Sequence, residues 1–323
     1  MLFETRRLFG AALILSVFFH MHIGTSGFAS PLAKIAITSV IEKNSDIYVM
    51  NIDGGNQVRL TINPARDYDP SWSPDGERIA FVSNRERGIE QIFVMDSDGG
   101  NPMRLTNDST HQEPAWSPNG DKIAYVRNRG GRQVWIMDAD GGNQTQLTEV
   151  GKNRQPAWSP DGKRIAFVST RNRGNGLYVM EENGSNQERL TPDMNFTANP
   201  TWSPDGNWIA FGALDEVHIF QIYAARVAGR LRIERLTHDL PHKLQPAWSP
   251  DGTTIAYSSW VVPFDRKRIH LMSSDGEHLK QLSERRNDHY ADPDWFDPGA
   301  WSVSPAANSV TIWGKIKTPT TGR

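Results

Sequence analysis

The sequence contains no cysteine, which removes disulfides, thiolate metal sites, a cysteine nucleophile and a lipidated cysteine anchor together. A basic excess is also missing: 35 Lys and Arg stand against 37 Asp and Glu, a net charge of −2. That balance argues against a nucleic-acid partner. GxSxG, HExxH, GxGxxG and Walker sequences do not occur. The chain thus shows no nucleophile elbow, no helical zinc pair and no glycine cradle for a nucleotide. Apolar runs are scarce as well. Residues 8–19 form a twelve-residue run, short of the roughly 20 needed to cross a bilayer, and no later segment comes as close.

What is present points to a packed β-protein with many tight turns. Hydrophobic residues make up 37% of the 323, enough for a real core, and there are 11 Trp, 27 Gly and 20 Pro. The N-terminus has the layout of a secretory signal peptide over 1–29: Arg6 and Arg7, then the apolar run, then small residues Gly27 and Ala29 ahead of Ser30. Export to the periplasm or beyond is the expectation, with no membrane span left after cleavage.

Internal repeats decide the fold class. Six segments share one pattern: DPSWSPDG (69–76), EPAWSPNG (113–120), QPAWSPDG (155–162), NPTWSPDG (199–206), QPAWSPDG (245–252) and DPDWFDPG (292–299). Their tryptophans, Trp72, Trp116, Trp158, Trp202, Trp248 and Trp295, are 42 to 47 residues apart. Each of the first five is followed by a run such as IAFVS (79–83), then by one such as IFVMDSDGG (92–100), then by Leu-Thr or Leu-Ser. Four short strands in each repeat of about 40–45 residues is the arithmetic of a propeller blade. IAFVS and IFVM are apolar on successive residues, as strands buried on both faces should be. One Trp per repeat then packs between blades and carries no chemistry.

IAITS (35–39) precedes the first Trp motif, and DPDWF lacks the strands that should follow it. Joining the two gives an all-β, six-bladed propeller of four-stranded antiparallel blades over 30–299, its first blade completed by the C-terminal strand. A tail over 300–323 contains SVTIWG (309–314), which reads as one extra strand.

The repeated PxWSPDGxxIAFxS…IYVMxxDG…LT pattern over about 35–296 resembles the WD-repeat-like propeller of the TolB family. That resemblance implies a β-propeller of a periplasmic envelope system. The repeats start directly after the leader-like segment, so the N-terminal domain of that family is not expected ahead of them. The same repeat is similar to the propeller of some prolyl-oligopeptidase-type peptidases, which carry an appended hydrolase domain.

Strand order places the SPDG and DGG turns on one face and the longer, variable loops on the other, where binding residues usually sit. The DxDGGN stretches at 96–101 and 138–143 read as hairpin turns, not calcium loops. On the loop face, the residues before the motif prolines, Asp69, Glu113, Gln155, Asn199, Gln245 and Asp292, are expected to ring the mouth of the central channel at the start of the innermost strands. They suit a wet polar lining or a cation site, with calcium as the candidate cofactor. An outer crown of Arg85, Arg87, Arg127, Arg129, Arg132, Arg171, Arg173, Arg266, Lys267 and Arg268 would suit a charged peptide docking over the channel. His111, His238, His242 and His289 fall in loops of the same face but lack a zinc spacing. The reading is an exported, monomeric binding or scaffolding module for an envelope-associated protein or peptide. Its alternative is a lactonase-like, metal-dependent hydrolase with a cation at the channel mouth.

Overall fold

The computed structural model describes residues 33–298, apart from 42, 172–173, 193, 195, 228, 261–265 and 284–288. The leader-like segment 1–29, the tail 300–323 and Arg173 lie outside the described residues. Among those described, twenty-four strands numbered in chain order form six antiparallel four-stranded sheets.

The innermost strands are β4 (Asp67–Trp72), β8 (Thr110–Trp116), β12 (Asn153–Trp158), β16 (Thr197–Trp202), β20 (His242–Trp248) and β24 (His289–Phe296). Each neighbours the next, and β24 neighbours β4, so they enclose a central channel. The first blade closes as its sequence predicts. β24 pairs antiparallel with β1 (Lys34–Ile41), setting Ile35 opposite Trp295. The second and third strands of the blades are buried on both faces, as at 79–83 and 91–95. The outermost strands are mostly only two residues long and largely exposed, as at Val58–Arg59. A short outer edge offers little backbone for another chain to pair with.

All six motif tryptophans are buried between blades; Trp116, for example, packs with Ala80, Val82 and Val94 of the preceding blade. Three of them also tie blades together by donating Nε1–H to a carbonyl of the preceding blade: Trp158 to Ala115 at 3.2 Å, Trp202 to Ala157 at 3.1 Å and Trp295 to Ala247 at 2.9 Å. The Leu-Thr signature has an equally local cause. Its hydroxyl accepts the N–H that opens the third strand, as Thr106 does from Ile92 at 3.0 Å and Thr148 from Val134 at 2.9 Å. A buried amide at a strand start is thereby satisfied.

The turn face is uniform. In five blades the motif serine hydroxyl bonds the turn's Asp or Asn, as Ser159 does Asp161 at 2.6 Å and Ser117 does Asn119 at 2.7 Å. The Asp residues of the DGG turns accept the amide two residues on, Asp98 from Gly100 at 2.8 Å and Asp140 from Gly142 at 2.9 Å. These carboxylates are occupied by turn geometry, which is the hairpin role read from the sequence. Gly76 is a special case. It sits at φ +70°, and a Cβ there would lie 2.1 Å from the ring of Phe296, where the closing strand departs from the WSPDG pattern.

Candidate functional site

The six residues ahead of the motif prolines share one conformation. Asp69, Glu113, Gln155, Asn199, Gln245 and Asp292 all lie at positive φ, between +50° and +57°. Each sits at a β-bulge a few residues inside its strand and not at the strand's start, as the register shift between Tyr68 and Ser71 shows for Asp69. A residue before proline is ordinarily extended, and positive φ is costly for Glu and Gln. The bulge re-aims the side chain and amide of each toward its neighbours.

The resulting contacts run from blade to blade. Glu113 Oε2 accepts the Gln155 N–H at 2.5 Å, and Gln155 Oε1 accepts the Asn199 N–H at 2.9 Å. Thr38 Oγ1 accepts the Asp69 N–H at 3.1 Å and donates to Asp292 Oδ2 at 2.9 Å. Gln245 Nε2 donates to the other Asp292 oxygen, while the Ser258 hydroxyl donates to Gln245 Oε1 at 2.6 Å. Asp294, two residues further along β24, accepts the Trp72 N–H at 2.7 Å. The ring is thus a belt of inter-blade hydrogen bonds as well as a channel lining.

Its charges are unevenly spread. Burial, then the Asp292 and Glu113 carboxylates, hold the Asp69 carboxyl well above the usual range, which favours its protonated form. Glu90 adds to that field, taking a hydrogen bond from Gln112 at 2.7 Å and pairing with Arg66 at 3.2 Å. Burial also raises Glu113, but the Gln155 N–H and the Arg132 and Arg154 guanidiniums oppose the rise. Asp69, Glu90 and Asp292 therefore make an acidic crescent, and Arg132 and Arg154 stand on the two blades that follow.

The residues present do not fit a calcium cage. Calcium takes about six to eight oxygens. Here Glu113 Oε2 is turned to an amide and both Asp292 oxygens accept hydrogen bonds. Among the described residues no three His, Asp or Glu side chains converge as a metal-holding group.

The arginine crown expected from the sequence breaks apart, because several of its members are fastened to their own sheets. Arg85 Nε bonds Ser83 at 2.8 Å, its Nη2 reaches Asp67 at 3.1 Å, and its guanidinium lies 4.9 Å from the Phe93 ring centre. Arg171 repeats this with Ser169 at 2.8 Å, Asn153 at 3.0 Å and Tyr178 at 4.9 Å. Arg127 pairs with Asp108 and stacks 4.6 Å from Trp135. Arg268 is bound to the carbonyls of Arg266 and Lys267. Arg87, Arg129 and Arg266 are exposed, Arg129 only 3.9 Å from Asp108 at its nearest. Arg132 is half-buried and lies within the field of Glu113. The histidines are likewise dispersed. His111 is fully buried, lowered to about 4 by burial, with Nδ1 on the Ser109 carbonyl at 2.8 Å. His242 instead accepts the Phe220 N–H at 3.1 Å.

Composition and spacing missed a group that the fold assembles on the loop face. Phe196 and Phe220 meet edge to face at 5.5 Å, Phe220 lies 5.9 Å from His242, and His242 stacks on Trp260 at 5.1 Å. Cations close both ends: Arg154 lies 5.0 Å from Phe196, and Lys267 Nζ 5.2 Å from Trp260. Arg154 could have been noticed. It fills the position ahead of a ring residue, where the other blades carry Tyr68, Gln112, Ala198, Leu244 and Ala291.

A closed ring of six four-stranded blades around a polar channel defines the class: a six-bladed β-propeller with its variable loops on one face. The TolB beta propeller domain family matches residues 14–155 and 113–296, and the chain belongs to that family. Among curated relatives, the Tol-Pal system protein TolB of Desulfosudis oleivorans is 40% identical over 56 residues, 17% of this chain and 13% of that protein. Dipeptidyl-peptidase 5 of Porphyromonas gingivalis is 34% identical over 70 residues, 20% of this chain and 10% of that protein. The chain therefore matches little more than a tenth of either relative's length. The crystal structure of TolB from Acinetobacter baumannii superposes with a TM-score of 0.72 at 22% identity, over 81% of this chain and 66% of that one.

Proposed function

We propose that this propeller is an exported, monomeric module of the cell envelope that binds a protein or peptide on its loop face, over the channel mouth. The carrying observation is the polarity of that mouth, with the acidic crescent of Asp69, Glu90 and Asp292 on one side and Arg132 and Arg154 on the other. Such patterning selects and orients a charged partner. The leader-like N-terminus and the likeness to a relative named for the Tol-Pal system support an envelope setting. The hydrolase reading receives no comparable support, because the ring carboxylates are engaged with amides, hydroxyls and one another.

A photo-crosslinking residue placed at Arg129 on the loop face, and separately at Asp98 on the turn face, tests the proposal in intact cells. A discrete adduct from position 129 and none from position 98 is the expected result. Equal labelling from both, or none from 129, would count against it.

A further inference from the structure

Two guanidiniums lie within the field of one carboxylate at the channel mouth, with too little to hold. Arg154 is the second residue of β12, directly ahead of the ring residue Gln155, and Arg132 opens β10 (Arg132–Asp138) of the preceding blade. Both act on Glu113, and Arg154 feels the charge of Arg132. The Oε2 of Glu113 already accepts the Gln155 amide at 2.5 Å. Among the described residues neither arginine forms an ion pair within 4.0 Å. Arg154 makes one long hydrogen bond, Nη2 to the Thr197 carbonyl at 3.5 Å, and its buried Nε has no partner. Arg132 makes no side-chain hydrogen bond among these residues.

A cation stripped of water and left unpaired is costly, and guanidinium is shaped to take a carboxylate in a two-pronged bond. Burial already holds Arg154 below its ordinary value. Beside it Phe196 is 39% exposed, one face covered by Arg154 and an edge against Phe220. An apolar group seated there would lie next to an anion held by the two arginines. On the preceding blades Asp69, Asp292 and Glu90 repel that anion, so the binding is directional.

From this geometry we propose that Arg132, Arg154 and Phe196 form a recognition corner for a peptide carboxylate flanked by an aromatic or other apolar side chain. The corner names the partner chemistry of the loop-face docking reading and rests on it. A carboxylate could come from a chain terminus or from an acidic side chain. The two sources are separated by titrating the full chain calorimetrically with acetyl-Gly-Phe, which has a free terminus, and with acetyl-Asp-Phe-amide. Acetyl-Asn-Phe-amide serves as the neutral control.

At least one acidic probe should bind about tenfold more tightly than the neutral one. Arg132→Gln and Arg154→Gln should each remove about that factor, while Lys163→Gln on the turn face leaves it unchanged. Arg132→Gln keeps the test decisive should Arg154→Gln disturb the blade junction. Equal binding of neutral and acidic probes, no binding of any probe up to about 10 mM, or full affinity in both variants overturns the corner. If crosslinking from position 129 persists while the probes fail, the corner falls and the docking reading stands. A lost crosslink has the converse meaning.

Discussion

The two faces of the ring are built from the same repeat and differ in what their side chains have left to give. On the turn face, serine and aspartate are spent within three residues of themselves, and the pattern recurs from blade to blade. On the loop face the blades diverge more: at equivalent positions Tyr68 and Gln112 bond each other, while Arg154 reaches the Thr197 carbonyl. Repetition marks where the polymer is holding itself together. Departure from repetition marks where side chains are released for another molecule.

The largest expected break in that contrast comes from the shared framework. Trp158→Ala removes a buried inter-blade ring and its bond to Ala115, and should cost about 3–5 kcal/mol in chemical denaturation. Gly76→Ala comes next, at about 2 kcal/mol, because the new methyl meets both a positive φ and the Phe296 ring. Gly252→Ala, at a similar φ but 3.6 Å from the nearest atom of Pro204, should cost about half as much. Equal losses at the two glycines would dismiss the crowding by the closing strand.

The channel wall between the faces should respond to pH. Burial pushes the Asp294 carboxyl up to about 7, against the Trp72 and Trp295 amides that pull it down. An acid whose folded value is raised stays protonated in the fold while the unfolded chain ionises. Stability therefore falls as pH climbs from above the ordinary carboxylate value through the raised one. Lowered histidines such as His111 push stability the opposite way, so the Asp294 share is read as a difference: between about pH 5.5 and 8, Asp294→Asn should remove roughly 2 kcal/mol of pH-dependent loss relative to the unaltered chain. Asp69 and Glu113 shift in the same direction. The same pH dependence in the unaltered chain and in Asp294→Asn would contradict this assignment. The smallest effect belongs to the loop face: Arg129→Gln, 77% exposed, should change stability by no more than about 0.5 kcal/mol.

The ring of blades was legible in the sequence because its determinants are local and repeated: a tryptophan, a turn and a Leu-Thr lock recurring at nearly constant spacing. The identity of the channel residues was legible too, since they precede the motif prolines. Their left-handed backbone was not, because it is imposed by a bulge that only strand pairing creates. The anchoring of the crown arginines was hidden for a related reason. Arg85 and Arg171 each stand two residues after a serine whose hydroxyl takes their Nε, a Ser-x-Arg spacing that does appear in the sequence. The acceptors that finish the job, Asp67 and Asn153, lie eighteen residues earlier and become neighbours only through the sheet. The aromatic arc from Phe196 to Trp260 was out of reach altogether, as its rings come from three strand ends and a loop with no common period.

The pairing of β24 with β1 also sets the order in which the molecule can finish. The earliest strand on the chain waits for the latest, and Thr38 meets Asp292 across 254 residues. Five blades can be assembled from adjacent sequence, but the remaining one cannot be sealed until the C-terminal strand is present. Closing so long a span costs only a logarithmic increment of chain entropy, yet it delays the final contact. A chain stopped just short of His289 would thus leave β1 as a bare edge beside the channel.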